Sequence, residues 1–171
     1  QDKYMNRVIG IDTKQRLIHV QAGASYDGVN MVLSTQKAMT LPNTSYDGAS
    51  GTVGGAIASG SVGLMSRRYG AVGDSVQQLE VVLATGEVLQ TGRLSKRELS
   101  AKQGLHNLEG EIYRQIDNLI TDNPDLVDQF GADSETSGYS GISKVKRKDG
   151  SFDLTPLFVG SQGTLGIISE V

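Results

Sequence analysis

Cysteine and tryptophan are missing from this 171-residue chain, proline occurs three times and histidine twice. Without cysteine there is no disulfide, no thiolate or iron–sulfur ligation and no cysteine nucleophile within it. His19 and His106 lie far apart with no clustered acidic companions, so a metal site is not expected and structural or surface roles are. No apolar run approaches the ~18 residues of a membrane span, and the opening residues QDKYMNRVIG hold no apolar signal region. A net charge of −3 argues against a broad nucleic-acid footprint. Three familiar motifs are absent as well. There is no GxxxxGK(S/T) phosphate loop, no GxGxxG between a strand and a helix, and no GxSxG nucleophile elbow.

Glycine is what the chain has in excess: 22 of 171 residues, roughly twice the usual ~7 %. The glycines sit among Val, Ile, Leu and Ala without a three-residue period, so they serve backbone geometry in a folded domain rather than a linker or a collagen. The length suits one domain with its own core. The missing initiator methionine and the ending GIISEV, which reads as a strand cut short, suggest a piece of a longer protein.

Local patterns predict an α+β domain with a mostly antiparallel sheet. Val8–Asp12 and Leu17–Gln21 form a hairpin across Thr13-Lys14-Gln15-Arg16. Ser25 caps a helix carrying Val29, Val32 and Leu33, and Leu41-Pro42 ends that region. Leu79–Ala84 and Glu87–Gln90 are strands joined at Thr85-Gly86. Residues 93–130 are polar and helix-prone, with Ile112, Ile116, Leu119 and Ile120 on one predicted stripe. Asn123-Pro124 starts a further helix through Phe130, and 131–141 is loop. Lys144–Lys148 (KVKRK) reads as a solvated loop closed by Asp149-Gly150, while Leu157–Val159 and Gly166–Val171 read as strands.

Two glycine clusters carry the functional signal. In Thr52-Val53-Gly54-Gly55-Ala56-Ile57-Ala58-Ser59-Gly60, paired glycines let backbone approach a ligand, and consecutive N–H groups can form a concavity for phosphate oxygens. Thr52, Ser59 and Ser61 add hydroxyls. Tight packing of a helix on a sheet explains the same glycines equally well, and the sequence does not choose. The second cluster, Gly160-Ser161-Gln162-Gly163-Thr164-Leu165-Gly166, suits a turn that lays amides against a ring or a phosphate.

VQAGAS (20–25), LPNTSYDGASGTVGGAIASGSVG (41–63), RRYGAVGDSVQQLEVVLATGEVLQTG (67–92), SGY (137–139) and LFVGSQGTLGIISEV (157–171) together resemble the FAD-binding domain of the vanillyl-alcohol oxidase / para-cresol methylhydroxylase superfamily. The nearest branch is the D-lactate and glycolate dehydrogenase type. The insertion at about 93–136 resembles that of the iron–sulfur-fused D-lactate dehydrogenases. The resemblance implies that residues 1–171 are the second of two FAD subdomains. The first subdomain, with a PRGGGT-like loop, and the C-terminal substrate cap are then partners elsewhere in the same protein.

By resemblance, Thr44, Ser45 and Asp47 turn beside the flavin, and Tyr139 lies near it. Thr52, Gly54, Gly55, Ser59, Gly60 and Ser61 serve the pyrophosphate and ribityl chain, while Gly163, Gly166, Ile167 and Ile168 flank the adenosine end. FAD is expected to bind non-covalently, and weakly or not at all to this fragment alone. No catalytic residue is expected within the chain. The whole protein is expected to oxidise a small 2-hydroxy acid in the cytoplasm, with peripheral membrane association left open. Gln162 stands where the family usually has Glu, and Asn43-Thr44-Ser45 replaces a commoner Pro-Asp-Pro. Two alternatives stay open: a non-catalytic FAD-fold interaction module, and a UDP-sugar enolpyruvate reductase-like flavoprotein. Elsewhere Arg67 and Arg68 are read as structural, and Asp74 as a cap for the segment after it.

Overall fold

β-branched alternation sets the opening hairpin. β1 (Val8–Asp12) pairs antiparallel with β2 (Leu17–Val20), and the Asp12 carboxylate accepts the Lys14 and Gln15 N–H groups at 2.8 and 3.0 Å to shape the turn. The computed structural model describes residues 4–37, 39–42, 51–132, 138–139 and 141–171. Helix α1 (Tyr26–Lys37) starts where expected: Ser25 Oγ accepts the Gly28 N–H at 3.1 Å. Its Tyr26, Val29 and Leu33 are buried in the core.

A short helix α2 (Val53–Ser59) follows, then single turns α3 (Ser66–Tyr69) and α4 (Val72–Ser75). Asp74 does not cap what comes after it. Its Oδ2 accepts the Ala71 N–H at 3.0 Å and closes the start of α4 instead, because that amide lies one turn back within reach of the short side chain. Strands β3 (Glu80–Val82) and β4 (Val88–Gln90) form the second hairpin, turning at Gly86 with φ 86°.

The polar stretch folds as β5 (Arg93–Leu94), α5 (Lys96–Gln103), α6 (Leu108–Asp122) and α7 (Pro124–Ala132). The buried stripe of α6 runs through Tyr113, with 0 % exposure, and Ile120; Leu119 is 48 % exposed. Ile112 and Ile116 pack against the core beside buried Ile120, so the expected stripe holds at three of its four positions and Leu119 turns outward. The stripe also takes in Tyr113, whose large ring meets Phe152 at a centroid distance of 5.9 Å.

After a 3-10 turn at Ile142–Lys144 come β6 (Phe152–Asp153), α8 (Thr155–Phe158) and β7 (Ile167–Glu170). The expected strand at 157–159 is thus mostly a helical turn. Asp153 Oδ1 accepts the Thr155 N–H at 2.8 Å, and Pro156 sits in the first turn, where its missing N–H costs nothing.

Among the described residues every strand pairing is antiparallel, in ladders β1-β2, β4-β3-β7 and β5-β6. Beyond β2 the chain joins β7: Val20 and Val171 exchange two backbone bonds of 2.9 Å, and Ala22 N–H reaches Ser169 C=O at 2.9 Å. The core lies between α1, α2 and this sheet, and continues through Leu99, Tyr113, Val145 and Phe152 under the inserted helices.

Candidate functional site

The Thr52–Ser61 segment lies between the β2–β7 junction and the Gly160–Gly166 turn. Thr52 caps α2: its Oγ1 accepts the Gly55 N–H at 3.1 Å. The Val53 and Gly54 N–H groups bond Ala24 and Ala22 carbonyls, each at 2.8 Å. All three amides are therefore engaged inside the fold. A Cβ on Gly54 would stand 2.5 Å from Ala22 Cβ, so close helix–strand packing accounts for this glycine. Gly55 is exposed. What the segment offers outward is hydroxyls: Thr52, and Ser59 paired with Ser61 at 2.7 Å between their Oγ atoms.

Gly60 ends α2 in the left-handed region, φ 63°. The second cluster docks on that end: the Gly160 N–H bonds Ile57 C=O at 2.9 Å, and the Gln162 N–H bonds Ala58 C=O at 2.7 Å. A Cβ on Gly60 would approach Gly160 Cα to 3.2 Å, and one on Gly138 would approach Gly160 C=O to 2.7 Å. Three segments distant in sequence thus meet backbone to backbone. Gly163 faces open space. Ile167 is 58 % exposed, whereas the Ile168 side chain joins the core, as strand alternation requires.

The donor chemistry is uniform. From Gly51 to Gly73 the only charged residues are Arg67 and Arg68, and Leu154–Ser169 has none. An anionic, hydroxyl-rich ligand would meet hydroxyls and peptide groups there, with no carboxylate from either segment to repel it. A dinucleotide fits this donor set and the Cβ-free junction. Thr44, Ser45 and Asp47 lie outside the described residues. Thr164, which the sequence did not single out, bonds the Tyr139 hydroxyl at 2.6 Å. Its only signal was its place between Gly163 and Gly166.

Other candidates find structural partners. His19 Nε2 meets Glu170 Oε2 at 2.8 Å, and no group of three potential metal ligands occurs among the described residues. The basic run is not a plain solvated loop. Val145 is fully buried, Lys146 pairs with Asp117 at 2.7 Å, and Lys144 reaches Asp74 at 3.4 Å. Bonds from the Ser151 hydroxyl and N–H, with Arg93 nearby, hold the Asp149 carboxyl at about 2. Arg68 stacks over Tyr69, 5.4 Å from the ring centre. A cleft of about 740 Å³ opens behind α2, lined by Ile11, Ile18, Val53, Ile57 and Leu79 among others; none of the expected cofactor residues among the described ones borders it.

Residues 2–92 match the family model of an FAD binding domain. D-2-hydroxyglutarate dehydrogenase of Pantoea ananatis is 31 % identical over 170 residues, covering 98 % of this chain and 16 % of that protein. The glycolate oxidase subunit GlcD of Bacillus subtilis is 30 % identical over 169 residues, covering 98 % and 25 %. The solved alkyldihydroxyacetonephosphate synthase shares the fold, with a TM-score of 0.56 at 20 % identity over 97 % of this chain and 20 % of that one. The chain therefore spans a quarter or less of these relatives' own length.

Proposed function

This chain belongs to the FAD binding domain family, and from that membership we propose that it is the cofactor-holding part of a larger oxidoreductase acting on small 2-hydroxy acids. The observation that carries the reading is the docking of the Gly160–Gly166 turn on the end of α2, which brings both glycine clusters onto one uncharged, hydroxyl-bearing surface. The names of the relatives, D-2-hydroxyglutarate dehydrogenase and glycolate oxidase subunit, support the substrate class.

In this reading Thr52, Ser59 and Ser61 give hydroxyls to the pyrophosphate and ribityl chain. Gly54 brings α2 close to Ala22, Gly60 lets the Gly160 turn dock on the end of α2, and the exposed Gly55 puts no side chain in the approach. Gly163, Gly166 and Ile167 border the adenosine end, with Ile168 supporting them from the core. The flavin-side role expected of Thr44, Ser45 and Asp47 rests on the sequence resemblance, since they lie outside the described residues. When bound, FAD supplies the acceptor for hydride from the carbon that carries the substrate hydroxyl. This chain's own residues bind and orient the cofactor; substrate recognition and proton transfer belong to the rest of the protein. The other FAD subdomain and the substrate domain are its expected partners, and residues 93–136 are an insertion within its own subdomain.

The test is to purify the full polypeptide that contains this chain. It should be yellow, carry flavin in one-to-one ratio, and bleach anaerobically with D-2-hydroxyglutarate, D-lactate or glycolate. A colourless protein that FAD does not reconstitute would overturn the proposal.

A further inference from the structure

We propose that Tyr139 is a positioning residue for the cofactor site: its hydroxyl pins the Ser161–Gly166 turn in the arrangement that receives the dinucleotide. The inference rests on the reading above and adds a role for a side chain that need not touch the cofactor.

The hydrogen-bond directions follow from proton counting. Thr164 Oγ1 lies 2.7 Å from Ser161 C=O, a carbonyl that can only accept, so the threonine proton is committed there. The Tyr139 hydroxyl lies 2.6 Å from Thr164 Oγ1 and 3.4 Å from the same Ser161 C=O; the shorter threonine contact takes the carbonyl, which leaves tyrosine as the donor to Thr164. The Thr164 N–H also bonds Ser161 C=O, at 3.0 Å. Tyr139 thus closes a short network that holds both ends of the turn's first half.

Its backbone shows that the position is over-determined. Tyr139 has φ 58° and Gln162 has φ 53°, both in the left-handed region that side chains rarely adopt. Such conformations persist where surrounding contacts enforce them. Here Gly138 lies against the Gly160 peptide on one side, and α2 receives the Gly160 and Gln162 N–H groups on the other. The tyrosine is 51 % exposed, so packing alone does not fix its ring. Its hydroxyl bond is what ties the 138–139 segment to Thr164.

The test uses the full-length protein with Tyr139→Phe, Thr164→Val and the double variant. Phe keeps the ring and the backbone and deletes only the donor. In apo-protein, amide exchange at residues 163–166 should accelerate by about tenfold in each single variant, as loss of one hydrogen bond implies. Exchange in α6 should not change. The FAD dissociation constant should rise by a similar factor, and the double variant should be no worse than either single one.

Unchanged exchange in the turn would overturn the pin. Faster exchange with unaltered FAD affinity would overturn its bearing on the cofactor. Additive losses of affinity would show that tyrosine and threonine act separately, as direct contacts do, and would also refute the proposal. A wild-type protein that takes up no FAD would remove the underlying reading and the cofactor role with it. That failure is visible before any variant is made.

Discussion

Tyr113 is the residue on which burial acts most plainly. Its hydroxyl has no hydrogen-bond partner among the described residues, although the side chain is completely enclosed. Burial, then the charges of Glu109 and Asp153, push its pKa up to about 12. The folded state thus favours the neutral phenol. Stability linked to it is complete below the ordinary tyrosine value near 10 and is lost as pH rises from there through about 12. Tyr113→Phe removes a desolvated hydroxyl that gains nothing in return, so at pH 7 it should be neutral or stabilising by up to about 1 kcal/mol. Urea titrations at neutral and alkaline pH should also show a flatter alkaline decline in the variant; a loss of stability at pH 7 would show that the hydroxyl is bonded. Gly54 makes the opposite case. Alanine there would press on Ala22 backbone as well as its side chain, at 2.9 and 3.0 Å from O and Cα. Gly54→Ala should cost about 1–3 kcal/mol, the range for overpacking, measured by the same titration. Unchanged stability would mean that α2 moves freely from the sheet.

Among the elements, α5 has the most complete local specification. Ser95 Oγ faces the Glu98 N–H at 3.4 Å, while Glu98 Oε2 accepts the Ser95 N–H at 2.8 Å. The Ser95 hydroxyl also donates to that carboxylate at 2.7 Å. These bonds lower the Glu98 pKa, so their support is present above the usual glutamate range and fades as pH falls through the depressed value. Ser95→Ala should lose about 1 kcal/mol at neutral pH, and the loss should shrink in acid. Capping of this kind is readable in sequence because it links residues three apart. So were the two hairpins and the start of α1. Leu157–Val159 is mostly a helical turn where a strand is expected, because a three-residue apolar run carries no period and Asp153 with Pro156 decides for the turn. On α6 the expected stripe holds at Ile112, Ile116 and Ile120, and what it leaves out is Tyr113. Ile and Leu spacing alone omits tyrosine, whose ring can be the largest buried group on a face, as Tyr113 is here.

At the scale of the whole molecule, β7 is the closing element. It pairs with β3 along one side and meets the continuation of β2 through the Gln21–Glu170 bridge on the other. Ile168, 6 % exposed, sits at the middle of this seam. Ile168→Ala should cost about 2–5 kcal/mol and loosen both hairpins together, seen as faster amide exchange in β2 and β3. Protection lost in β3 alone would show that the β2 junction is independent of β7. The sequence by itself determined the antiparallel α+β character, the two hairpin turns and the cap of α1, the exclusion of cysteine chemistry, and the resemblance that pointed to FAD. Each of these rests on composition or on neighbours within a few residues. The tertiary structure decided what the glycines do. It showed that Gly54 serves packing, that the first amides of α2 are taken by Ala22, Ala24 and Thr52, and that hydroxyls are what remain facing outward. It also brought Gly60, Gly138 and Gly160 together and joined Tyr139 to Thr164. Those contacts link segments whose spacing in the chain has no period. Their geometry follows from how the sheet, α2 and the turn pack, and no local pattern encodes it.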